Sequence, residues 1–116
     1  MTQSKTDNCL FCKIIDKSIP ANIVFEDDEF IVFKDINPKA SLHLLIVPKE
    51  HITSLAHTND SHAALLGKAL LKLNRLASDN NFSDGFRTVI NTGRGGGQEI
   101  DHLHVHLLAG KLKTFG

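Results

Sequence analysis

One long helix-type pattern within a series of strand-type runs is the feature that most constrains how this chain can fold. Apolar residues recur at steps of three and four between residues 60 and 77, where Asp60 or Ser61 can cap the helix. The strand-type runs are joined by connections of hairpin type, which favour antiparallel pairing. We therefore expect an α+β fold, a mostly antiparallel sheet of five strands with helices packed against it.

The strand-type runs are rich in β-branched and aromatic residues. They cover, in chain order, residues Asn22–Glu26, Glu29–Lys34, Leu42–Val47, Phe86–Thr92 and Leu103–Leu108. A short helix is predicted over Cys9–Lys17, before Pro20.

A chain of 116 residues can build one hydrophobic core and is too short for two ordinary domains. Residues 9–116 are therefore predicted to form a single domain after a flexible tail over residues 1–8.

Charge and hydropathy argue against two classes of partner. Acidic and basic residues balance at 13 each, so no overall field draws the chain onto nucleic acid or an anionic membrane. No segment approaches the ~18 consecutive apolar residues of a membrane span, and the N-terminus has no apolar region of the signal type. We expect a cytoplasmic protein that binds neither nucleic acid nor membrane.

Three of the seven histidines occupy alternate positions near the C-terminus, at His102, His104 and His106. The strand period of two would send all three imidazoles to one face, roughly 6.5 to 7 Å apart, where they could line one phosphate-sized site. Neutral imidazole is a nucleophile near pH 7, and a second, protonated imidazole can bind phosphate oxygens. Taken alone, the run fits a solvated strand face or a surface metal patch equally well.

A glycine-rich loop, Asn91–Gln98, leads into these histidines. Glycines allow backbone N–H groups to approach an anion closely. The loop has neither the lysine of a Walker A motif nor the spacing of a Rossmann motif, and by itself it fits a flexible connection. Its position directly before the histidines favours a phosphate site shared between the loop and the imidazoles.

The ordered motifs over Cys9–Gly110 resemble the histidine triad (HIT) superfamily, in its Hint branch of nucleoside phosphoramidases. The motifs are Phe11-Cys-Lys-Ile-Ile15, Phe33-Lys-Asp-Ile-Asn-Pro38, His43-Leu-Leu-Ile-Val-Pro48, and Gly97-Gln98 running into His102-Leu-His-Val-His106. The resemblance implies a homodimer with a continuous sheet and hydrolysis of the P–N bond in adenosine or guanosine 5′-phosphoramidates. It also implies that catalysis requires no cofactor.

Individual roles follow from the same resemblance. His104 would attack the α-phosphorus and form a nucleotidyl-histidine that water then cleaves. His106 would contact phosphate oxygens, His43 would support the histidines through hydrogen bonds, and His102 would complete the catalytic set. Asp35 would bind the ribose hydroxyls. The other implied nucleotide contacts are Ile36, Asn91, Gly97, Gln98, Glu99 and the backbone near Val105, with Leu10, Phe11, Ile14 and Phe33 as the slot for the base.

Several of these residues also have simpler interpretations. The four apolar slot residues fit an ordinary core, and His43 among apolar neighbours fits a buried core histidine. Glu99 stands where animal members carry serine, and a carboxylate there could attract a cationic amine. The segment Lys111–Gly116 lacks the tryptophan-containing tail of the animal proteins. Two further functions stay open, a dinucleoside polyphosphate hydrolase of the Fhit type and a nucleotide-binding regulatory module with incidental hydrolysis.

The pair Cys9 and Cys12 has two interpretations. With His51 and His102 it supplies the ligand types of a tetrahedral Cys2His2 zinc site, and several relatives within the superfamily hold zinc with similarly placed residues. Alternatively, the cysteines are two small buried hydrophobes at the start of an apolar helix. The first interpretation would make His102 a structural residue, and the second would leave it free to orient His104.

Overall fold

Five antiparallel strands and two α-helices make up the part of the chain that the structure describes, residues 8–112 of a computed structural model. The helices are α1 (Leu10–Ile15) and α2 (Ala63–Asp79), and the strands are β1 (Ile23–Glu26), β2 (Phe30–Lys34), β3 (Ala40–Pro48), β4 (Arg87–Val89) and β5 (Val105–Leu112). The strands lie in the order β1-β2-β3-β5-β4, and every neighbouring pair is antiparallel. The predicted α+β architecture is confirmed, whereas the homodimer stays a prediction. Most of the predicted N-terminal tail lies outside the described residues.

Side chains of β3 and β5 alternate between two buried faces of the sheet. One face packs against α2, and its buried cluster comprises Phe30, Val32, Leu42, Leu44, Ile46, Ala69, Leu73, Leu76, Ala77, Val105, Leu107 and Ala109. The opposite face packs against α1, with Cys9, Phe11, Ile14, Ile31, Phe33, Leu45 and Val47. Because Leu44 and Leu107 face α2, their neighbours His43 and His106 must face the α1 side. The two histidines therefore share one face.

The long helix α2 directly follows a short 3-10 turn, whose cap residue the sequence pattern did not identify. Asn59 caps a 3-10 turn over Asp60–His62, and its side chain accepts the Ser61 N–H at 2.9 Å. The Asn59 N–H in turn donates to the His62 ring at 3.0 Å, which completes a capping box. The N-cap position of α2 itself is His62, which makes no side-chain cap hydrogen bond, so the predicted cap at Asp60 or Ser61 is wrong. Neither helix within residues 8–112 is long and apolar enough to cross a bilayer.

The histidine-bearing strand also begins later than predicted. The alternating pattern predicted a strand over Leu103–Leu108, but β5 covers Val105–Leu112, so that His102 and His104 precede it. The chain bends at His102, and the Leu103 N–H donates to the Ile52 carbonyl at 2.7 Å instead of joining the β3–β5 ladder. The period-two rule therefore does not apply to the first two histidines. The boundaries of α1 and β4 also lie inside the predicted ones.

Candidate active site

A cavity of about 470 Å³ opens on the α1 side of the sheet. Three histidines line it, His43 from β3, His106 from β5 and His104 from the segment just before β5. Most residues expected to contact a nucleotide also line it, namely Leu10, Phe11, Ile14, Phe33, Asp35, Ile36, Asn91, Gly97 and Glu99. Three other residues expected at the site do not line the cavity, namely His102, Gln98 and Val105.

The imidazole of His104 is held by a backbone carbonyl. Its Nδ1 lies 2.7 Å from the carbonyl oxygen of His102. A carbonyl oxygen only accepts hydrogen bonds, so Nδ1 must carry the proton and Nε2 must carry the lone pair. Burial lowers the pKa of His104, which is only 7% exposed, and keeps the ring neutral near pH 7. The arrangement therefore presents a neutral imidazole with an unprotonated Nε2, the form in which histidine is nucleophilic.

A second chain of hydrogen bonds sets the tautomer of His106. The backbone N–H of Lys39 donates to His43 Nδ1 at 3.0 Å, so the proton of neutral His43 lies on Nε2. His43 Nε2 lies 2.9 Å from His106 Nδ1 and donates to it. His106 therefore carries its own proton on Nε2. Burial, together with His104 and His43, lowers the pKa of His106 to about 4, so the ring is a neutral donor.

His104 and His106 can act on one phosphorus centre. Their ring centroids are 5.0 Å apart, and both rings line the same cavity. One ring offers a lone pair and the other offers an N–H, which are the two groups needed to attack a phosphorus atom and to bind its oxygens. The site thus pairs a nucleophile with a donor, without a charged imidazole.

His102 lies apart from the other two histidines of the run. Its ring is fully buried, and Nε2 donates to the Pro48 carbonyl at 2.8 Å. The ring of Phe11 packs edge-on against both His102 and His104, at centroid distances of 6.1 and 5.0 Å. The expectation that all three imidazoles line one site is therefore wrong for His102, because its ring is buried against the Pro48 carbonyl and does not line the cavity.

His102 and three other side chains form a candidate metal site. The ligand atoms of Cys9, Cys12, His51 and His102 all lie within 4.8 Å of one another. Cys9 Sγ is 3.3 Å from His102 Nδ1, and Cys12 Sγ is 3.3 Å from His51 Nδ1. Ligand atoms of a tetrahedral zinc are roughly 3.3 to 3.8 Å apart, given its Zn–N and Zn–S bond lengths. Because His102 donates through Nε2, its Nδ1 lone pair is available, and the four residues fit a zinc ion.

Comparisons with known proteins agree with this site. The family model for the scavenger mRNA decapping enzyme C-terminal binding domain matches residues 8–116. Protein HitA of Neisseria gonorrhoeae is 57% identical over 102 residues, which cover 88% of this chain and 95% of HitA. The chain belongs to the histidine triad (HIT) family.

Solved structures of HIT proteins have the same fold. A HIT family hydrolase from Legionella pneumophila superposes with a TM-score of 0.89 at 47% identity, covering 93% of this chain and 97% of that one. A zinc-bound histidine triad protein from Mycobacterium smegmatis has a TM-score of 0.79 at 29% identity, covering 91% of this chain and 77% of its own. This HIT chain therefore has the fold of a family of hydrolases.

Within the HIT site, Gln98 organises the glycine-rich loop. Its side-chain Nε2 donates to the carbonyls of Thr53 and Ile100, each at 2.8 Å, and its Oε1 accepts the Gly93 N–H at 2.8 Å. The residue is only 3% exposed. The hydrogen bonds of this side chain fix the loop, and the nucleotide contact expected at Gln98 stays a prediction. The neighbouring Gly97, at φ 82°, adopts a left-handed conformation that suits glycine.

Val105 turns its side chain away from the cavity. Its side chain is 2% exposed and packs on the α2 face, so only its backbone could meet a ligand, as the resemblance implied.

Asp35 does line the cavity, and its Oδ1 accepts the Asn37 N–H at 2.8 Å. Its Oδ2 lies 3.5 Å from His43 Nε2, which joins the acid to the histidine pair.

Asp35, His43 and His106 also form a cluster whose potential ligand atoms lie within 4.8 Å of one another. This cluster is poorly suited to a metal ion. His43 Nδ1 already accepts the Lys39 N–H, so its Nε2 carries a proton and has no lone pair for an ion. We therefore interpret His43 and His106 as a hydrogen-bonded pair, with Asp35 Oδ2 3.5 Å from His43 Nε2.

The sequence patterns missed two groups of site residues. The backbone of Lys39 fixes the tautomer of His43, and a main-chain donor leaves no signal in a pattern of side chains. Ile19, Pro20 and Ala21 complete the apolar end of the cavity. The available signal there was Pro20, which follows the first helical pattern, and its apolar neighbours Ile19 and Ala21 pack against the cluster that contains Phe11.

Proposed function

We propose that this HIT protein hydrolyses the P–N bond of purine nucleoside 5′-phosphoramidates, as the Hint branch does. The observation that carries the proposal is the pairing of His104 and His106 in opposite hydrogen-bonding states at 5.0 Å in one cavity. A nucleophile with its lone pair free and a donor for phosphate oxygens are both needed for nucleotidyl transfer. The hydrolase structures that resemble the chain support the reaction type.

The proposed reaction proceeds in two displacements. His104 Nε2 attacks the α-phosphorus, the P–N bond breaks, and the leaving nitrogen takes a proton from solvent and departs as an amine. Water then attacks the nucleotidyl-histidine, His104 Nε2 regains its lone pair, and the proton of the water returns to solvent. The products are a nucleoside monophosphate and an amine. In both steps the N–H of His106 stabilises charge on the phosphate oxygens.

The remainder of the cavity suits a purine nucleoside. Phe11, Ile14 and Phe33 are buried and form its apolar wall, and Phe11 and Phe33 contact each other edge-on at 5.4 Å. Asp35 lines the same cavity, where a carboxylate oxygen can accept hydrogen bonds from ribose hydroxyls. An apolar slot with one polar anchor supports binding of AMP or GMP with weak discrimination between the bases.

We also propose a structural zinc ion on Cys9, Cys12, His51 and His102. The four ligand atoms fit the ion, and the related M. smegmatis protein is zinc-bound. Bound zinc would hold α1 against the segments that follow β3 and precede β5. A homodimer and a cytoplasmic location complete the proposal, and the position of β4 at the outer edge of the sheet supports pairing with a second copy.

Replacement of the nucleophile tests the proposed reaction. We expect His104→Ala to lower kcat for an adenosine 5′-phosphoramidate by roughly a thousand-fold or more, because the nucleophile of a covalent mechanism is lost. Acid-quenched wild-type enzyme should also show a nucleotidyl adduct by intact mass spectrometry, and the variant should not. His62→Ala is the control, since its histidine caps a turn outside the cavity. Equal rates for wild type and His104→Ala would refute the proposal.

A further inference from the structure

The two cysteines of the proposed zinc site lie close enough to form a disulfide with each other. Cys9 is the N-cap residue of α1 and Cys12 is its third residue, and the Cys12 N–H donates to Cys9 Sγ at 3.3 Å. Neither thiol is in a disulfide, and the two Sγ atoms lie within 4.8 Å of each other. Bonded sulfurs are about 2.0 Å apart, so a movement of at most roughly 3 Å at the start of α1 would join them.

A cavity beside the cysteines gives small molecules access to them. It has a volume of about 540 Å³, and both Cys9 and His51 line it. Cys12 is half-buried. Zinc binds cysteine as the thiolate, and the thiolate is also the form that peroxides oxidise. A molecule as small as hydrogen peroxide therefore has a route to a pair of thiolates.

Phe11 links this pair to the nucleotide cavity. It stands between the two cysteines in α1 and lines the cavity. Its ring also packs edge-on against the ring of His104, at a centroid distance of 5.0 Å. A shift in the first turn of α1 would therefore move the apolar wall of the cavity and the ring that packs against the nucleophile.

The two histidine ligands belong to segments that also support the nucleotide site. His102 has Nδ1 available for the metal, and its carbonyl accepts the Nδ1 proton of His104 at 2.7 Å. His51 lies two residues before Thr53, whose carbonyl accepts a hydrogen bond from Gln98 at 2.8 Å. Each segment that supplies a zinc ligand thus also holds a part of the nucleotide site, and loss of the metal would release all of them together.

We propose that Cys9 and Cys12 are a redox modification site, at which a peroxide oxidises the pair to a disulfide, removes the zinc ligands and weakens nucleotide binding. This inference rests on the zinc and nucleotide sites proposed above and adds their regulation. A cytoplasmic location, also proposed above, would keep the pair reduced except during exposure to an oxidant.

The oxidation balances with hydrogen peroxide as the co-reactant. The first thiolate attacks the peroxide, an S–O bond forms, the O–O bond breaks, and the hydroxide that leaves takes a proton from solvent. The second thiolate attacks the oxidised sulfur, the S–S bond forms, the S–O bond breaks, and a second hydroxide takes a second proton. The thiolates lose two electrons, and the peroxide is reduced to two waters. His51 and His102 alone then supply half of a tetrahedral ligand set, which is too few to retain a structural zinc.

Peroxide treatment of the zinc-loaded wild type tests the switch. We expect intact mass spectrometry to show the loss of two hydrogen atoms and a chromogenic chelator to detect released zinc. Calorimetry should show a Kd for AMP that rises roughly ten-fold or more, because an aromatic wall is withdrawn from an apolar slot. Dithiothreitol with added zinc should restore the original Kd. Wild type that forms no disulfide, or that forms it and binds AMP as before, overturns the inference.

Cys12→His is the matched control. Histidine is also a zinc ligand, so the variant keeps four ligand types at the site but has a single thiol and cannot form the disulfide. At the lowest peroxide dose that oxidises wild type, it should keep both its zinc and its affinity for AMP. An equal loss of AMP affinity in wild type and Cys12→His would show that the disulfide is not the cause and would refute the switch.

A measurement without substrate separates this inference from the proposed function. NMR of isotope-labelled histidines reports the tautomer of His104, whose proton lies on Nδ1. We expect oxidation to change the signals of His104 and to leave those of His62, which lines neither cavity. Changed His104 signals support the switch even if no phosphoramidate is hydrolysed and the proposed function fails. Unchanged His104 signals in the disulfide form refute the switch even if phosphoramidates are hydrolysed.

Discussion

His104 is oriented by an uncharged group. The carbonyl of His102 fixes its proton on Nδ1 and adds no full negative charge to the site. Burial lowers the pKa of the ring, whereas a carboxylate partner would raise it. The chain thereby keeps its nucleophile unprotonated near neutral pH and needs no separate base to activate it.

The pH dependence of turnover tests whether the active-site histidines stay neutral near and below neutral pH. Burial lowers the pKa of His106 to about 4, so its neutral form persists well below the ordinary histidine value of 6.5. Protonation of Nδ1 would remove the acceptor for His43 and break the chain. Burial also lowers the pKa of the nucleophile His104, so we expect the acid limb of kcat/KM for a phosphoramidate to have its midpoint below pH 6.5.

The measurement is a steady-state pH profile, with an enzyme-free reaction at each pH to correct for acid cleavage of the substrate. An acid limb with its midpoint near 6.5 would contradict the assignment, since it would show a histidine whose pKa is unaffected by burial.

At the scale of elements, the glycine-rich loop depends on one side chain. Gln98→Ala would leave the carbonyls of Thr53 and Ile100 and the Gly93 N–H without their partner. We expect the free energy of unfolding to fall by roughly 1–3 kcal/mol, the usual range for buried polar groups left unsatisfied. Urea unfolding measures the loss. Arg94→Ala, an exposed change in the same loop, should cost less, and a smaller loss for Gln98→Ala than for this control would contradict the prediction.

Helix α1 has only six residues, and its attachment to the sheet is the subject of a second prediction. Elemental analysis should find about one zinc per chain, as a four-ligand structural site requires. Its removal by a chelator should lower Tm by at least about 5 °C, which is ~1 kcal/mol in a domain of this size. Chelation should have no further effect on Cys12→Ser. Protein that contains no zinc and keeps its Tm after chelation would refute the site.

The sequence pattern predicted the helices and strands more accurately than the residues at which they begin and end. Local periodicity located α2 and the strands, because a face packed against a core requires a repeating pattern. It misplaced the start of β5, because that boundary depends on two distant partners, the Ile52 carbonyl for the Leu103 N–H and the Pro48 carbonyl for the His102 ring. The same long-range contacts separate His102 from the cavity. Asp35 and His43, which the motif resemblance singled out, both line the cavity, and their roles stay predictions.

At the scale of the whole molecule, we expect only one of the two outer strands, β4, to pair with a second copy of the chain. We expect the chain, of mass 12.8 kDa, to behave in solution as a dimer joined through β4. Thr88→Lys would place like charges across the paired edges and should shift the protein towards monomer. Val24→Lys makes the same change on the opposite edge, in β1, and should leave the dimer intact.

Light scattering after size-exclusion chromatography measures the mass of each variant. A monomeric wild type, or dissociation by Val24→Lys in place of Thr88→Lys, would contradict an interface on β4.

The side chains of β3 and β5 alternate between two faces of the sheet, and this affects which mutations the chain can accept. His43 and His106 face one side, whereas Leu44 and Leu107 face α2 on the other. Mutations that adjust thermal tolerance can therefore accumulate in the α2 layer, and mutations that alter substrate preference can accumulate around the cavity. Selection for durability and selection for chemistry act on different side chains of the same two strands, which makes this small sheet an adaptable scaffold for engineering.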